Sequence, residues 1–388
     1  MIYLDHAATT PLDPEVLEAM LPYFNKFFAN TGSIHSAGQE ALAGIDKARQ
    51  QVAQFLNCET NEVIFTSGAT ESNNLAITGI VDATEIKKPH IITSCIEHPA
   101  VLEVVKNLKN RGVEITILPV EHDGTLNTNI VQKEIKENTI LISIMYANNE
   151  IGTVQPIKEI GKLIEEINQK RKNKIYFHTD ATQASGYLNC DTKVLKTDLL
   201  SLSGHKIYGP KGIGILFIKK GTKIKPIQFG GHQEFNLRAG TLNTPGIVGI
   251  GKALELVKKN REVNNKRVQH LRDSLIEKIL KEIPGSHLNG SQTKRLPNNA
   301  NISFDKVEGE SIMLNLDFES IEVSTGSACA SGSLSPSYVL LALGLSHLQA
   351  HSSIRFSFGK ENTMEEINKT VEALKKIIER LRKISPIK

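Results

Sequence analysis

Ser201-Leu202-Ser203-Gly204-His205-Lys206-Ile207-Tyr208-Gly209-Pro210-Lys211-Gly212 is the stretch around which the rest of the chain is organised. Leu199, Leu200 and Leu202 form an apolar run that reads as the end of a buried strand, and the small and polar residues after it turn the backbone. Lys206 is thereby set at the carboxyl edge of that strand, where open α/β sheets place their ligands. A lysine amine at such an edge is a nucleophile only when neutral, which takes desolvation or a cationic neighbour. His205 and the nitrogen of a bound ring are candidates for that neighbour. A lysine that merely ends a strand points into water instead, and the residues elsewhere in the chain decide between the two.

Outward from this stretch, strand and helix signals alternate. After the opening Tyr3-Leu4-Asp5-His6-Ala7-Ala8-Thr9-Thr10-Pro11, a helical pattern runs from Pro14 to near Phe28 and a second from about Ala37 to Leu56. Strands are expected at Val63–Thr66, His90–Ser94, Val113–Leu118, Ile140–Met145, Ile175–His178, Asp198–Ser201 and Ile213–Ile218, with helices from Glu71, Pro99, Asn127 and Pro156 between them. Such alternation predicts a mostly parallel sheet with helices on both faces. Near Gly246 the texture changes. One long helix is expected from about Ile247 to Ile283, stopped by Pro284-Gly285, and short strands and helices follow it. The strands are Ala300–Phe304, Ile321–Val323 and Ile354–Phe358, and the helices are Gly309–Leu316, Pro336–Ala342 and Met364–Lys383. This block reads as a separate α+β unit.

Composition excludes several classes of function. The 388 residues carry 46 Lys and Arg against 42 Asp and Glu, a formal charge of only +4, with no dense basic run that would mark a nucleic-acid or membrane surface. Without an 18-residue apolar span or a leader-like start, the chain is expected to be cytoplasmic. Its four cysteines, Cys58, Cys95, Cys190 and Cys329, are far apart and lack C-x-x-C spacing, so reduced thiols are expected and neither a disulfide framework nor a metal site is.

Four features converge on the cleft that the strand carboxyl ends would form. Thr66-Ser67-Gly68-Ala69-Thr70-Glu71-Ser72 joins a strand to a helix through small residues, a turn that offers N–H groups and a helix dipole to a phosphate or simply caps the helix. Phe177-His178-Thr179-Asp180-Ala181-Thr182-Gln183 ends a buried strand with an acid that needs a partner, either a pyridinium nitrogen or the N–H groups that follow it. Ser94-Cys95-Ile96-Glu97-His98-Pro99 sets an imidazole at another strand-to-helix junction, to stack on a flat cofactor and move a proton or to serve as a structural histidine. Ser324-Thr325-Gly326-Ser327-Ala328-Cys329-Ala330-Ser331-Gly332-Ser333 holds one thiol in a run without a bulky side chain, and such a run is expected to be mobile.

Together these residues resemble the cysteine desulfurases, pyridoxal-phosphate enzymes of the class V aminotransferase family with the type I fold. The resemblance also takes in Ala147-Asn148-Asn149-Glu150-Ile151-Gly152, Arg238-Ala239-Gly240-Thr241 and His351-Ser352-Ser353-Ile354-Arg355, so it covers nearly the whole chain. The Cys329 stretch, followed by Ser335-Pro336-Ser337-Tyr338-Val339-Leu340, is similar to the longer-loop group of the family. The resemblance implies an α/β fold with a large cofactor-binding domain over residues 15–256, built on a mostly parallel seven-stranded sheet. It also implies a smaller α+β domain formed by residues 1–14 and 257–388, carrying the Cys329 loop.

Residue by residue, the resemblance implies that Lys206 forms the Schiff base with pyridoxal 5'-phosphate and moves protons at the substrate Cα, and that Asp180 keeps the ring nitrogen protonated. His98 would stack on the ring as an acid and base. Asn149 and Gln183 would face its hydroxyl side, and Asn149 would also meet the substrate. Ala69, Thr70, Ser203 and His205 would bind the phosphate, joined by Thr241 of the other subunit of a homodimer. Arg355 would clamp the carboxylate of L-cysteine with its two-pronged guanidinium. Cys329 would take the sulfur as a persulfide and pass it to an acceptor protein for iron–sulfur clusters or for thiolated RNA and cofactors. A selenocysteine lyase or another enzyme of the same fold is the alternative. Some positions depart from the family pattern: His6 stands where many relatives have Tyr or Asn, Asn30-Thr31-Gly32-Ser33 lacks a proline after the Asn, and Ala239 replaces a common Ser. The sequence stops at Pro386-Ile387-Lys388 without the extended tail of relatives that dock a scaffold, which leaves the acceptor open.

Overall fold

The computed structural model describes residues 1–325 and 335–385. Its strands are β1 (Ile2–Tyr3), β2 (Val63–Thr66), β3 (His90–Ser94), β4 (Glu114–Leu118), β5 (Thr139–Ser143), β6 (Tyr176–Asp180), β7 (Leu199–Ser203), β8 (Gly214–Ile218), β9 (Ser286–Asn289), β10 (Asn299–Phe304), β11 (Ile321–Glu322) and β12 (Ser353–Ser357). Seven of them form one sheet in the order β2-β8-β7-β6-β5-β3-β4. Strands β3 to β7 run parallel, while β8 is antiparallel to both of its neighbours. Because successive side chains leave a strand on opposite faces, Val63 and Phe65 enter one core and Ile64 the other; Ile215 and Phe217 are likewise split from Leu216 and Ile218. Helices cover both faces, which is why these strands read as continuous apolar runs.

The sheet's connections diverge between β3 and β5. From β3 the chain moves outward to β4, and from β5 it steps the other way through β6 to β7. That divergence opens a crevice above the strand carboxyl ends, and His98, Asn149, Asp180 and Lys206 all leave the sheet around it.

A third core forms on the three-stranded antiparallel sheet β12-β10-β9. The helix Thr244–Glu282 joins the small sheet to the large one: Ile247, Ile250 and Leu254 pack into the core that holds Val63 and Phe65, and Val268, Leu271, Leu275 and Ile279 into the core of the small sheet. Asn243 caps its start by accepting from Gly246 N at 3.1 Å, and Pro245 occupies the first turn, where a missing N–H costs nothing.

The segment Asn149–Val154 is the seam between the large and the small sheet. Asn299 Nδ2 and Arg355 Nη1 donate to Asn149 O at 3.3 and 3.1 Å, and Asn301 Nδ2 donates to Glu150 O at 3.3 Å. Leu296 N donates to Gly152 O at 2.9 Å. Gly152 has φ +74, and a Cβ there would lie 2.8 Å from Asn299 Oδ1, so both conformation and space require glycine.

Several sequence expectations shift. The helix expected from Pro14 to near Phe28 is two short helices, Pro14–Met20 and Pro22–Asn25, because Pro22 cannot continue the first. The helix expected from Glu71 begins at Ala69, and the one expected from Pro336 begins at Tyr338 with Ser337 as its cap. Strand β9 and helix His347–His351 were not foreseen: Ser286-His287-Leu288-Asn289 is an edge strand without alternation, and a five-residue helix shows too little periodicity to read.

Candidate active site

A cavity of about 640 Å³ lies above the sheet's carboxyl edge, within the range of small-molecule sites, ~300–1,000 Å³. Ala69, Thr70, His98, Asn149, Asp180, Gln183, Ser203, His205, Lys206 and Arg355 all line it. Ten residues scattered over nearly 290 positions are thus brought to one space. Thr241 is exposed and is not among the residues lining this cavity. Cys329 lies outside the described residues.

Each side chain is set by its local chain. Lys206 ends the single turn Gly204–Lys206 directly after β7. Its Nζ donates to Ala7 O and Ala8 O, both at 2.7 Å, so the N-terminal strap crosses the mouth of the strand edge to meet it. Gln183 Nε2 also donates to Ala7 O, at 2.9 Å. Thr10 fastens the strap by donating through N and Oγ1 to His205 O at 2.9 and 3.0 Å.

Asp180 is 6% exposed at the last position of β6. Its Oδ1 accepts from Thr182 N at 2.9 Å and its Oδ2 from Asn73 Nδ2 at 2.7 Å. The capping reading is realised, since one oxygen caps the following turn, and the carboxylate also borders the cavity. Asn73 was missed in the sequence, although a fully buried Asn beside Leu75, Ala76 and Ile77 in the helix Ala69–Ala83 signals a polar partner.

His98 caps the helix Pro99–Asn110, its Nδ1 accepting from Ala100 N at 3.1 Å. Burial, and to a lesser degree Lys206, push its pKa down against the pull of Asp180, so the ring is neutral and carries its proton on Nε2. His205 is pushed down to about 4 by burial and by the cations of Lys206 and Lys211. It too is neutral near pH 7, and its Nδ1 meets Thr9 Oγ1 at 3.2 Å.

At the other end of the cavity, no side chain among the described residues caps the helix Ala69–Ala83, whose N-cap is Gly68. Ser67 N is spent on Glu71 Oε2 at 2.7 Å, and Glu71 Oε1 accepts from Arg238 Nε at 2.9 Å. The leading N–H groups at Ala69 and Thr70 therefore remain for an anion, with the helix dipole behind them.

Two fully buried carboxyls stand behind the site. Glu97 is pushed up to about 8 by burial; its Oε1 accepts from Ser94 Oγ at 2.6 Å and Met145 N at 2.9 Å, and its Oε2 has no partner among the described residues. Glu150 is pushed up to about 7, again by burial, and its Oε2 accepts from Ser337 Oγ at 2.5 Å. Tyr338 OH donates to Glu97 O at 2.6 Å. The backbone that carries His98 and Asn149 is in this way tied to Ser337 and Tyr338, a link that no motif announces.

The donor set fits pyridoxal 5'-phosphate. A buried carboxylate suits a protonated ring nitrogen, a helix start without a side-chain cap suits a phosphate, and a lysine amine held by two carbonyls suits an aldehyde, all around one cavity. Among the described residues, no group of three or more His, Cys, Asp or Glu is arranged to hold a metal ion, and no helix is long and apolar enough to cross a membrane.

Residues 2–370 match the Aminotransferase class-V family model. The chain is 51% identical over 387 residues, covering 100% of it and 97% of its counterpart, to a protein of Dictyoglomus turgidum named cysteine desulfurase IscS. A protein of the same name from Methanosarcina thermophila is also 51% identical, over 386 residues covering 100% of this chain and 94% of that one. Among solved structures, a NifS-like protein superposes with a TM-score of 0.91 at 35% identity, covering 98% of this chain and 100% of that one. SspA in complex with cysteine superposes with a TM-score of 0.82 at 37% identity, covering 94% and 100%. The chain belongs to the aminotransferase class-V family, whose cofactor is pyridoxal 5'-phosphate. Within that family, the relatives it matches along its whole length are cysteine desulfurases.

Proposed function

We propose the residue roles by which this chain, a pyridoxal-phosphate-dependent cysteine desulfurase, removes sulfur from L-cysteine. The observation that carries them is that Asp180, Lys206, the Ala69-Thr70 helix start and Arg355 border one cavity. Asp180 holds the ring nitrogen, Ala69, Thr70, Ser203 and His205 hold the phosphate, and Asn149 and Gln183 face the ring hydroxyl. When bound, the cofactor supplies an electron sink that acidifies the substrate Cα and weakens its C–S bond.

Lys206 is the covalent anchor and then the base that moves the Cα proton. His98, neutral and with its proton on Nε2, stacks on the ring and donates or accepts on the substrate side. Arg355 binds the α-carboxylate. Cys329, as a thiolate, attacks the substrate sulfur: a new S–S bond forms, the C–S bond breaks, and its electron pair stays with the carbon skeleton. Protonation there releases L-alanine and leaves a persulfide on Cys329, so that L-cysteine and one thiol become L-alanine and one persulfide.

The wider setting is proposed on the same footing. A homodimer in which Thr241 completes the partner's phosphate site is supported by the exposure of Thr241 and of the nearby Phe229 and Phe235, 84% and 51% exposed. The sulfur goes on to an acceptor protein of iron–sulfur assembly or RNA thiolation, in the cytoplasm. The division into residues 15–256 and residues 1–14 with 257–388 is supported by the core of the small sheet, whose buried residues all come from the second set. The selenocysteine reading is not favoured, since relatives along the full length carry the name cysteine desulfurase.

Cys329→Ala tests the sulfur step. Without added acceptor thiols, sulfide release from L-cysteine is expected to fall at least ~100-fold, while the cofactor's absorption and its response to L-cysteine persist. Unchanged sulfide release would show that Cys329 is not the acceptor.

A further inference from the structure

Arg355 is already held by a carboxylate of its own chain. Its Nη2 lies 2.6 Å from Asp5 Oδ1, with the two side chains 3% and 18% exposed. Its Nη1 donates to Asn149 O at 3.1 Å, and its buried Nε has no hydrogen-bond partner among the described residues. Asp5 sits on fixed backbone. It bridges Ser357 of β12, and the next two residues are stitched to the same place: His6 N donates to Ser357 O at 3.2 Å and Ala7 N to Ser357 Oγ at 2.8 Å. Tyr3 OH donates to Asp5 O at 3.1 Å from the other side.

A buried guanidinium without a counter-ion is costly, so Asp5 accounts for a cation this deep in the absence of a ligand. The same carboxylate acts against a second one. An incoming anion meets a guanidinium already partly neutralised and a like charge beside it, in surroundings too dry for full screening. The unpartnered Nε is the part of the fork that Asp5 leaves unused.

We propose that Asp5 is a specificity-determining and positioning residue: the resting counter-ion of Arg355, which fixes the guanidinium and lowers the site's affinity for carboxylate ligands. The affinity for an α-carboxylate is then a difference, the pull of Arg355 less the opposition of Asp5, and release of an amino-acid product is eased by the same term. This rests on the reading of Arg355 as the clamp for the substrate carboxylate.

The test is calorimetric titration of the holoenzyme with two probes. One is 3-mercaptopropionate, which has the thiol and carboxylate but no amine; the other is cysteamine, which has the thiol and amine but no carboxylate. Asp5→Asn is expected to bind 3-mercaptopropionate about fivefold tighter, to lower KM for L-cysteine in the same direction, and to leave cysteamine unchanged. Asp5→Ser carries the same expectation, and Asp5→Glu, which keeps the charge, is expected to stay near the wild type. Whichever neutral variant retains the native circular-dichroism spectrum decides: unchanged or weaker binding of 3-mercaptopropionate overturns the proposal. Arg355→Gln separates this from the underlying reading, since it loses 3-mercaptopropionate if Arg355 is the clamp and binds it normally if the clamp lies elsewhere.

Discussion

The two walls of the cavity are held by different means. On the large-sheet wall, each anchor has one partner close in sequence: Asp180 accepts from Thr182 N, His98 from Ala100 N, and Glu71 from Ser67 N, with Asn73 and Arg238 added from farther along the chain. On the opposite wall, Asp5 and Arg355 are 350 positions apart, as are Ala7 and Ser357. The local half of the first wall is built as soon as the strand ends turn into their helices. The second exists only once both ends of the chain have met, so its chemistry depends on the whole tertiary structure. Loss of packing between the large and the small sheet should therefore disorganise the carboxylate clamp before the cofactor end.

Lys206 belongs to both walls, since it leaves β7 and donates to Ala7 O and Ala8 O. Its removal is the largest break available. Lys206→Ala is expected to lower kcat at least ~1,000-fold and to abolish borohydride fixation of the cofactor. Steady-state turnover and absorption spectra check this, and a variant with a tenth of the wild-type rate would contradict the role.

An intermediate effect is expected where an exposed segment reaches back to the local wall. Burial alone would raise Glu71, yet the hydrogen bonds from Arg238 and Ser67 hold its carboxyl below the usual range. Through it Arg238 braces the turn that carries Ala69 and Thr70. Arg238→Gln should weaken cofactor affinity about tenfold, with kcat at saturating cofactor within about twofold of the wild type. Fluorescence titration of the cofactor-free protein measures the first quantity, and equal affinities would mean that the turn holds itself.

The smallest effect concerns stability. Glu97, pushed up from 4.5 to about 8 by burial, keeps its proton in the folded state while an unfolded carboxyl loses it. Its contribution therefore declines as pH rises from about 4.5 through about 8. His205, lowered from 6.5 to about 4, acts in the opposite window: the unfolded ring binds a proton that the folded one refuses, so stability falls as pH drops from 6.5 towards 4. Glu97→Gln is expected to raise Tm by a few degrees relative to the wild type at about pH 8 and by less at about pH 5. A difference that does not change with pH, read by calorimetry, would mean that Glu97 is not the source.

The sequence by itself determined the large sheet and its strand-end residues. Each of those rests on a short stretch in which an apolar run, a turn and one functional side chain follow directly, so local periodicity and turn chemistry suffice to read them. Resemblance along the chain then supplied the pyridoxal-phosphate chemistry and the residue roles, those of Thr241 and Cys329 among them. What tertiary structure alone decided is the company these residues keep. Asn73 against Asp180, the strap carbonyls of Ala7 and Ala8 on Lys206, Glu97 and Glu150 behind the site, and Asp5 on Arg355 are all contacts between segments distant in the sequence. No spacing encodes them, because hydrogen bonds across such distances are fixed by how two sheets and a strap pack together. The guanidinium expected to offer both prongs to a substrate is, for that reason, found with Nη2 on Asp5 and Nη1 on Asn149 O.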